Sequence, residues 1–114
     1  AFGRIDGLVN NAAASARSNL DTSDADFFDQ LMALNLRAPM LMIRAAREAL
    51  KRSRGAVLNI GSVNAYCGGT NLLVYSMTKG GLMTMTRNLG NALRQLNDHE
   101  WRVSANEARR WAGV

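Results

Sequence analysis

Two spacings of apolar residues, one suited to strands and one to helices, take turns along this chain. The run IDGLVNN (5–11) is short, apolar and closed by asparagines, which predicts a buried strand stopping at a polar edge. The loop AAASARSNL follows, and Ser23 then stands as an N-cap with Asp26 as the acidic partner of a capping box. DADFFDQLMALNL places Phe27, Phe28, Leu31 and Leu34 at helical spacing. Pro39 interrupts this pattern, and PMLMIRAAREALKR resumes it through Met40, Ile43, Ala46 and Leu50. GAVLNIGS (55–62) predicts a second buried strand, begun by Gly55 and ended by small polar residues. The loop VNAYCGGTNLL leads into a long helix over roughly Leu73 to Leu96, and WRVSA predicts a third strand.

Strand, helix, strand, helix, strand in this order predicts one α/β domain on a parallel sheet covered on both faces. In open sheets of this kind ligands sit beyond the carboxyl ends of the strands. Asn10 and Asn11 after the first strand, and Gly61 and Ser62 after the second, fall together at that rim. The sequence therefore concentrates its small polar residues where a site belongs.

Composition narrows the function classes. With 114 residues and 47% hydrophobic positions the chain reads as one small globular domain, without repeats or low-complexity tracts. No apolar run approaches the roughly 20 residues that span a bilayer, so no membrane association is expected. AFGRIDGLVNNAAA lacks the layout of a signal peptide. The absence of an initiator Met and the strand so near the start suggest that an upstream part is missing. One cysteine, Cys67, rules out an internal disulfide and suits the cytoplasm. It reads as an ordinary loop residue rather than a nucleophile, with His99 as the sole histidine, and no metal site is expected.

The net charge of +5 is uneven, since residues 1–43 hold three basic and five acidic groups and the remainder eleven and four. Arg44, Arg47, Lys51 and Arg54 fall near one helical face. This is read as a solvated helix end rather than a nucleic-acid footprint. Cations suit a helix C-terminus, and no aromatic residues interleave with them for base stacking.

The stretch VYSMTKGG carries the candidate chemistry. Positions i and i+4 share a helical face, so Tyr75 and Lys79 are neighbours. Bringing a phenol from about 10 down to about 7 requires about 4 kcal/mol of preferential stabilisation of its anion. A nearby ammonium supplies part of that. The same spacing is also met when a surface cation rests on a ring. Ser62 raises the pair above that reading, because strand end and helix start share one rim in a parallel layout. Ser62 and Tyr75 then converge on one carbonyl oxygen, one donating to it and the other exchanging its proton. No G-x-S-x-G elbow accompanies Ser62, which weakens a serine-hydrolase reading. Pro39 has no N–H and crowds the carbonyl four residues back, that of Asn35. That carbonyl is left to find another donor, such as an ordered water that refills the proton on Tyr75. A simple kink fitting the helix to the sheet is the other reading of Pro39.

Taken together, these motifs resemble the short-chain dehydrogenase/reductase family over residues 5–97. IDGLVNNAAA is similar to the family's Asn-Asn-Ala-Gly segment, with Ala13 in place of the final glycine. ALNLRAP, NIGSVNA and YSMTK match the segments holding its catalytic asparagine, serine, tyrosine and lysine. The resemblance implies a Rossmann-like doubly wound sheet, of which 1–114 supplies three strands and flanking helices. It implies hydride transfer between NAD or NADP and a small-molecule carbonyl or alcohol. Tyr75 is then the general acid/base, and Lys79 stabilises the phenolate and binds the nicotinamide ribose. Ser62 polarises the substrate oxygen, and Asn35 holds the relay water. Asn10, Asn11 and Ala12 adjoin the adenosine part of the cofactor, which Tyr75 and Lys79 meet at its other end.

The family's Gly-rich turn lies upstream of the Asn-Asn motif and is absent here, as is the residue that selects NAD or NADP. The tail 103–114 lacks the expected Pro-Gly turn and is atypical. The resemblance further implies a homo-oligomer through the helices at 39–52 and 75–96. There Met40, Met42, Met77, Met83 and Met85 flank the small residues Ala46, Gly80, Gly81 and Gly90. Plain intramolecular packing of these methionines is the alternative. Against the enzyme stands a truncated, non-catalytic chain that only binds or assembles. The loop VNAYCGGTNLL shapes the substrate side and selects no particular substrate.

Overall fold

The computed structural model describes residues 2–95 and 102–105. Its elements are β1 (Gly7–Asn10), α1 (Ala25–Met32), a π-helical turn (Ala33–Arg37), α2 (Ala38–Ser53), β2 (Ala56–Asn59), α3 (Asn64–Cys67), α4 (Leu73–Gln95) and β3 (Arg102–Ala105). The strands form one parallel sheet in the order β1-β2-β3, with Gly7 opposite Ala56 and Ala56 opposite Arg102. This is the expected α/β layout. His99 and the tail from residue 106 onward lie outside the described residues.

Alternation along the strands decides where the core forms. Leu8, Val57 and Val103 point to one side of the sheet and pack with Ile43, Ala46 and Leu50 of α2 and Met85 and Leu89 of α4. Both crossovers step the same way across the sheet, so α2 and α4 share this face. On the opposite face Val9 is 59% exposed and Leu58 37% exposed. Among the described residues the sheet is thus covered on one face, where the strand pattern predicted two.

Three local expectations are corrected. The cap of α1 is Asp24, whose Oδ1 accepts from the Phe27 N–H at 2.8 Å, not Ser23. Ser23 is taken by the preceding turn, where its Oγ donates to the Asn19 carbonyl at 2.6 Å. A carboxylate also meets the helix dipole better than a hydroxyl does. Leu34 is exposed while Asn35 beside it is buried. The π-turn explains the change, because the Ala38 N–H donates to the Ala33 carbonyl five residues back. A wider turn brings the fourth residue, not the third, round to the face of Leu31. Pro39 follows in the first turn of α2 and has no N–H to give, so the wide turn and the proline accommodate each other. Met40, just after it, is exposed as well, and the inward face resumes at Ile43.

Helix α2 ends at Arg54 in the left-handed region (φ 55°), and the Gly55 N–H donates to the Leu50 carbonyl at 2.8 Å. Gly55 is needed for closeness, since a Cβ there would lie 2.7 Å from the Asp6 carbonyl oxygen. Gly81 does similar service inside α4, where a Cβ would lie 2.7 Å from Leu36 Cδ2. It lets α4 press against the π-turn.

Candidate active site

The carboxyl ends of β1 and β2 are joined by polar side chains as well as by the ladder. Asn10 Nδ2 donates to Asn59 Oδ1 at 2.8 Å, and Asn59 Nδ2 donates to Thr86 Oγ1 at 2.9 Å. The Thr86 hydroxyl passes its proton to the Leu82 carbonyl. Asn10 is therefore committed to the sheet, while Asn11 and Ala12 stand exposed just beyond it.

Lys79 comes off α4 toward the same rim. It is only 4% exposed, and its Nζ donates to the Ile60 carbonyl at 2.7 Å. Nζ also lies 5.9 Å from the centre of the Tyr75 ring, so the helical pair meets as expected. Burial pulls the ammonium below its ordinary pKa. An ammonium has three donors, and among the described residues two of them lack a hydrogen-bond partner. Ser62 stands two residues beyond Ile60, half-buried, with its Oγ accepting from the Asn64 N–H at 3.2 Å. Lys79 is thus tied directly to the strand end that carries Ser62.

Asn35 is 1% exposed and points into the interior from the π-turn. Its Oδ1 accepts from the Ala14 N–H, and its Nδ2 donates to the Ala14 carbonyl, each at 2.9 Å. Nδ2 also donates to Thr78 Oγ1 at 3.2 Å. The side chain is spoken for, which leaves the main-chain carbonyl as what Asn35 can offer a water. Residue 39, which would normally donate to that carbonyl, is proline. A second staple fixes the start of α4: the Ser18 N–H donates to the Asn71 carbonyl at 2.8 Å, and the Leu73 N–H to the Ser18 carbonyl at 3.0 Å.

Sequence reasoning missed Ser18, Asn59, Thr78 and Thr86, all buried. A signal existed for two of them. Asn59 stands two positions after Val57, on the inward face of an apolar strand, and Thr86 stands seven after Lys79 on the same helical face. Among the described residues no three His, Cys, Asp or Glu side chains gather as metal ligands do, and no helix is long and apolar enough to cross a membrane.

The chain as a whole is similar to known proteins. The short chain dehydrogenase family matches residues 1–106. An uncharacterized oxidoreductase of Thermotoga maritima is 37% identical over 89 residues, covering 77% of this chain and 36% of that protein. The 3-ketoacyl-(acyl-carrier-protein) reductase of Brucella melitensis, solved with NADH, superposes with a TM-score of 0.80 at 28% identity, covering 91% of this chain and 44% of that one. A metagenomic short-chain oxidoreductase solved with NADP gives 0.79 at 34% identity, covering 90% and 46%. The chain belongs to the short-chain dehydrogenase family. It spans less than half the length of each of these three proteins.

Proposed function

We propose that this chain carries the proton-handling part of an NAD(P)-dependent oxidoreductase acting on a small-molecule carbonyl/alcohol pair. The observation behind the reading is the buried Lys79 ammonium, four residues from Tyr75, bonded to the strand end that leads to Ser62. Its two spare donors suit the hydroxyls of a nicotinamide ribose, and the exposed Asn11 and Ala12, with Asn10 behind them, suit the adenosine side. Bound NAD or NADP supplies or accepts the hydride. Tyr75 gives its hydroxyl proton to the substrate oxygen in reduction and takes it back in oxidation. The charge of Lys79 favours the phenolate formed in between. Ser62, whose hydroxyl donates to no acceptor among the described residues, polarises the same oxygen. The Asn35 main-chain carbonyl holds the water that restores the proton.

Self-association belongs to this reading. Met40, Leu41 and Met42 on α2 and Met77 on α4 are exposed apolar residues, and exposed apolar surface marks an interface. A homo-oligomer through the helices at 39–52 and 75–96 covers them. A cytoplasmic location agrees with the one unpaired cysteine. A second reading is a non-catalytic chain that assembles only, and the exposed apolar residues of α2 and α4 are the observation that favours it.

The two readings part in the protein expressed at the full length its gene encodes. Tyr75→Phe is expected to lower kcat by about 10²–10⁴-fold with cofactor Kd unchanged. Turnover undiminished in that variant overturns the assignment. A wild type that turns over no carbonyl substrate of a broad panel establishes the second reading.

A further inference from the structure

We infer that Thr78 is a positioning residue for this chemistry, locking Asn35 and Tyr75 into one hydrogen-bonded unit. The side chain is 0% exposed. Its Oγ1 accepts from Asn35 Nδ2 at 3.2 Å and donates to the Tyr75 main-chain carbonyl at 2.7 Å. The direction of each bond is forced. The amide oxygen of Asn35 can only accept, and it takes the Ala14 N–H, so Nδ2 is the atom that faces the Ala14 carbonyl and Thr78. Both Nδ2 protons are then used, and the hydroxyl must send its own proton to the tyrosine carbonyl. The resulting chain of donors crosses from the loop after β1, through the π-turn, to the first turn of α4.

The consequence is geometric. The Asn35 carbonyl is the proposed water site, and Tyr75 and Lys79 are the groups that water serves. One hydroxyl, next to Lys79 in sequence, sets the spacing between them. Valine has nearly the same shape as threonine, but it can neither accept nor donate, so it leaves an amide proton unpaired in a dry interior. Displacement of a reacting group by about 1 Å can cost about 100-fold in rate. The inference rests on the roles proposed above for Tyr75 and Asn35.

The test compares Thr78→Val and Thr78→Ser in the full-length gene product, reading kcat, KM, cofactor Kd and the pH profile of kcat. Thr78→Val is expected to lower kcat about 10- to 100-fold and to displace the pH profile, with KM and cofactor Kd within about twofold. Thr78→Ser, which keeps the hydroxyl, restores both. Wild-type kcat and pH profile in Thr78→Val overturn the inference. So does equal impairment in Thr78→Ser, which makes the methyl rather than the hydroxyl the important group. If Thr78→Val does not fold, hydrogen exchange in the wild type decides. The Asn35 side-chain amide and the Ala14 amide are expected to be strongly protected, and fast exchange at both sinks the proposal. Tyr75→Phe is measured alongside. Full activity there removes the acid/base reading, whereas an inactive Tyr75→Phe with an unaffected Thr78→Val removes the positioning role alone.

Discussion

The rim of the sheet and the outer surfaces of the same elements are built in opposite ways. Asn35, Asn59, Thr78, Lys79 and Thr86 are buried, while Val9, Leu58, Met40, Met42 and Met77 are exposed. Inside, each asparagine and threonine meets a partner, as buried polar groups must. Lys79 departs from this, holding one carbonyl and, among the described residues, leaving two donors without a partner. Burial of an ammonium with no carboxylate partner among the described residues is unfavourable, which supports the role proposed for it above. Outside, no such argument about partners applies, and the exposed apolar residues of α2 and α4 are those that the self-association proposed above would cover. Polarity in the wrong place thus points to chemistry, and apolarity in the wrong place points to assembly.

This contrast can be broken in four ways, each with a smaller expected effect. Leu50→Ala removes the side chain at the centre of the covered face, which is 0% exposed. A loss of about 2–5 kcal/mol is expected in urea unfolding, and a loss below 1 means that the core lies elsewhere. Asn59→Leu keeps the branching and the number of side-chain heavy atoms but leaves the Asn10 amide without its acceptor and the Thr86 hydroxyl with the Leu82 carbonyl alone. The expected loss is about 1–3 kcal/mol. A gain instead makes the polar rim dispensable to the fold.

Lys79→Met tests the reserve charge through pH. The lysine is depressed in the folded state, so below its folded pKa both states carry the proton and the burial cost is present in full. As pH rises through that pKa toward the ordinary lysine value, the unfolded chain holds more protons than the folded one, and stability rises. Lys79→Met is expected to lose this rise, so its stability relative to wild type falls as pH increases over that window. Parallel curves dismiss the argument. Met40→Gln, on the exposed side, is expected to change unfolding free energy by no more than about 0.5 kcal/mol. Its effect belongs in sedimentation, as a smaller assembled fraction, and unchanged mass removes α2 from the interface.

Much of this was legible in the spacing of residues. The strand-helix alternation, the parallel sheet and the neighbouring of Tyr75 and Lys79 all follow from local periodicity. Where reading failed, competition between near neighbours decided the outcome. Ser23 and Asp24 both suit a cap, and the Asn19 carbonyl captured the serine. Leu34 and Asn35 both lie within reach of the inward face, and the π-turn selected the polar one. The motif and Pro39 both draw attention to Asn35, but no local pattern records the commitment of its side chain to Ala14.

By itself the sequence determined the order of elements, the strand direction and which residues could share a helical face, because these depend on repeats only a few residues long. The tertiary structure alone decided that Ala14, Asn35 and Thr78 form one unit, since its bonds join positions 21 and 43 apart in the chain. It also decided which face of the sheet α2 and α4 cover, a matter of crossover sense that no local repeat records. Hydrogen-bond partners so distant in sequence exist only once packing has excluded water from between them.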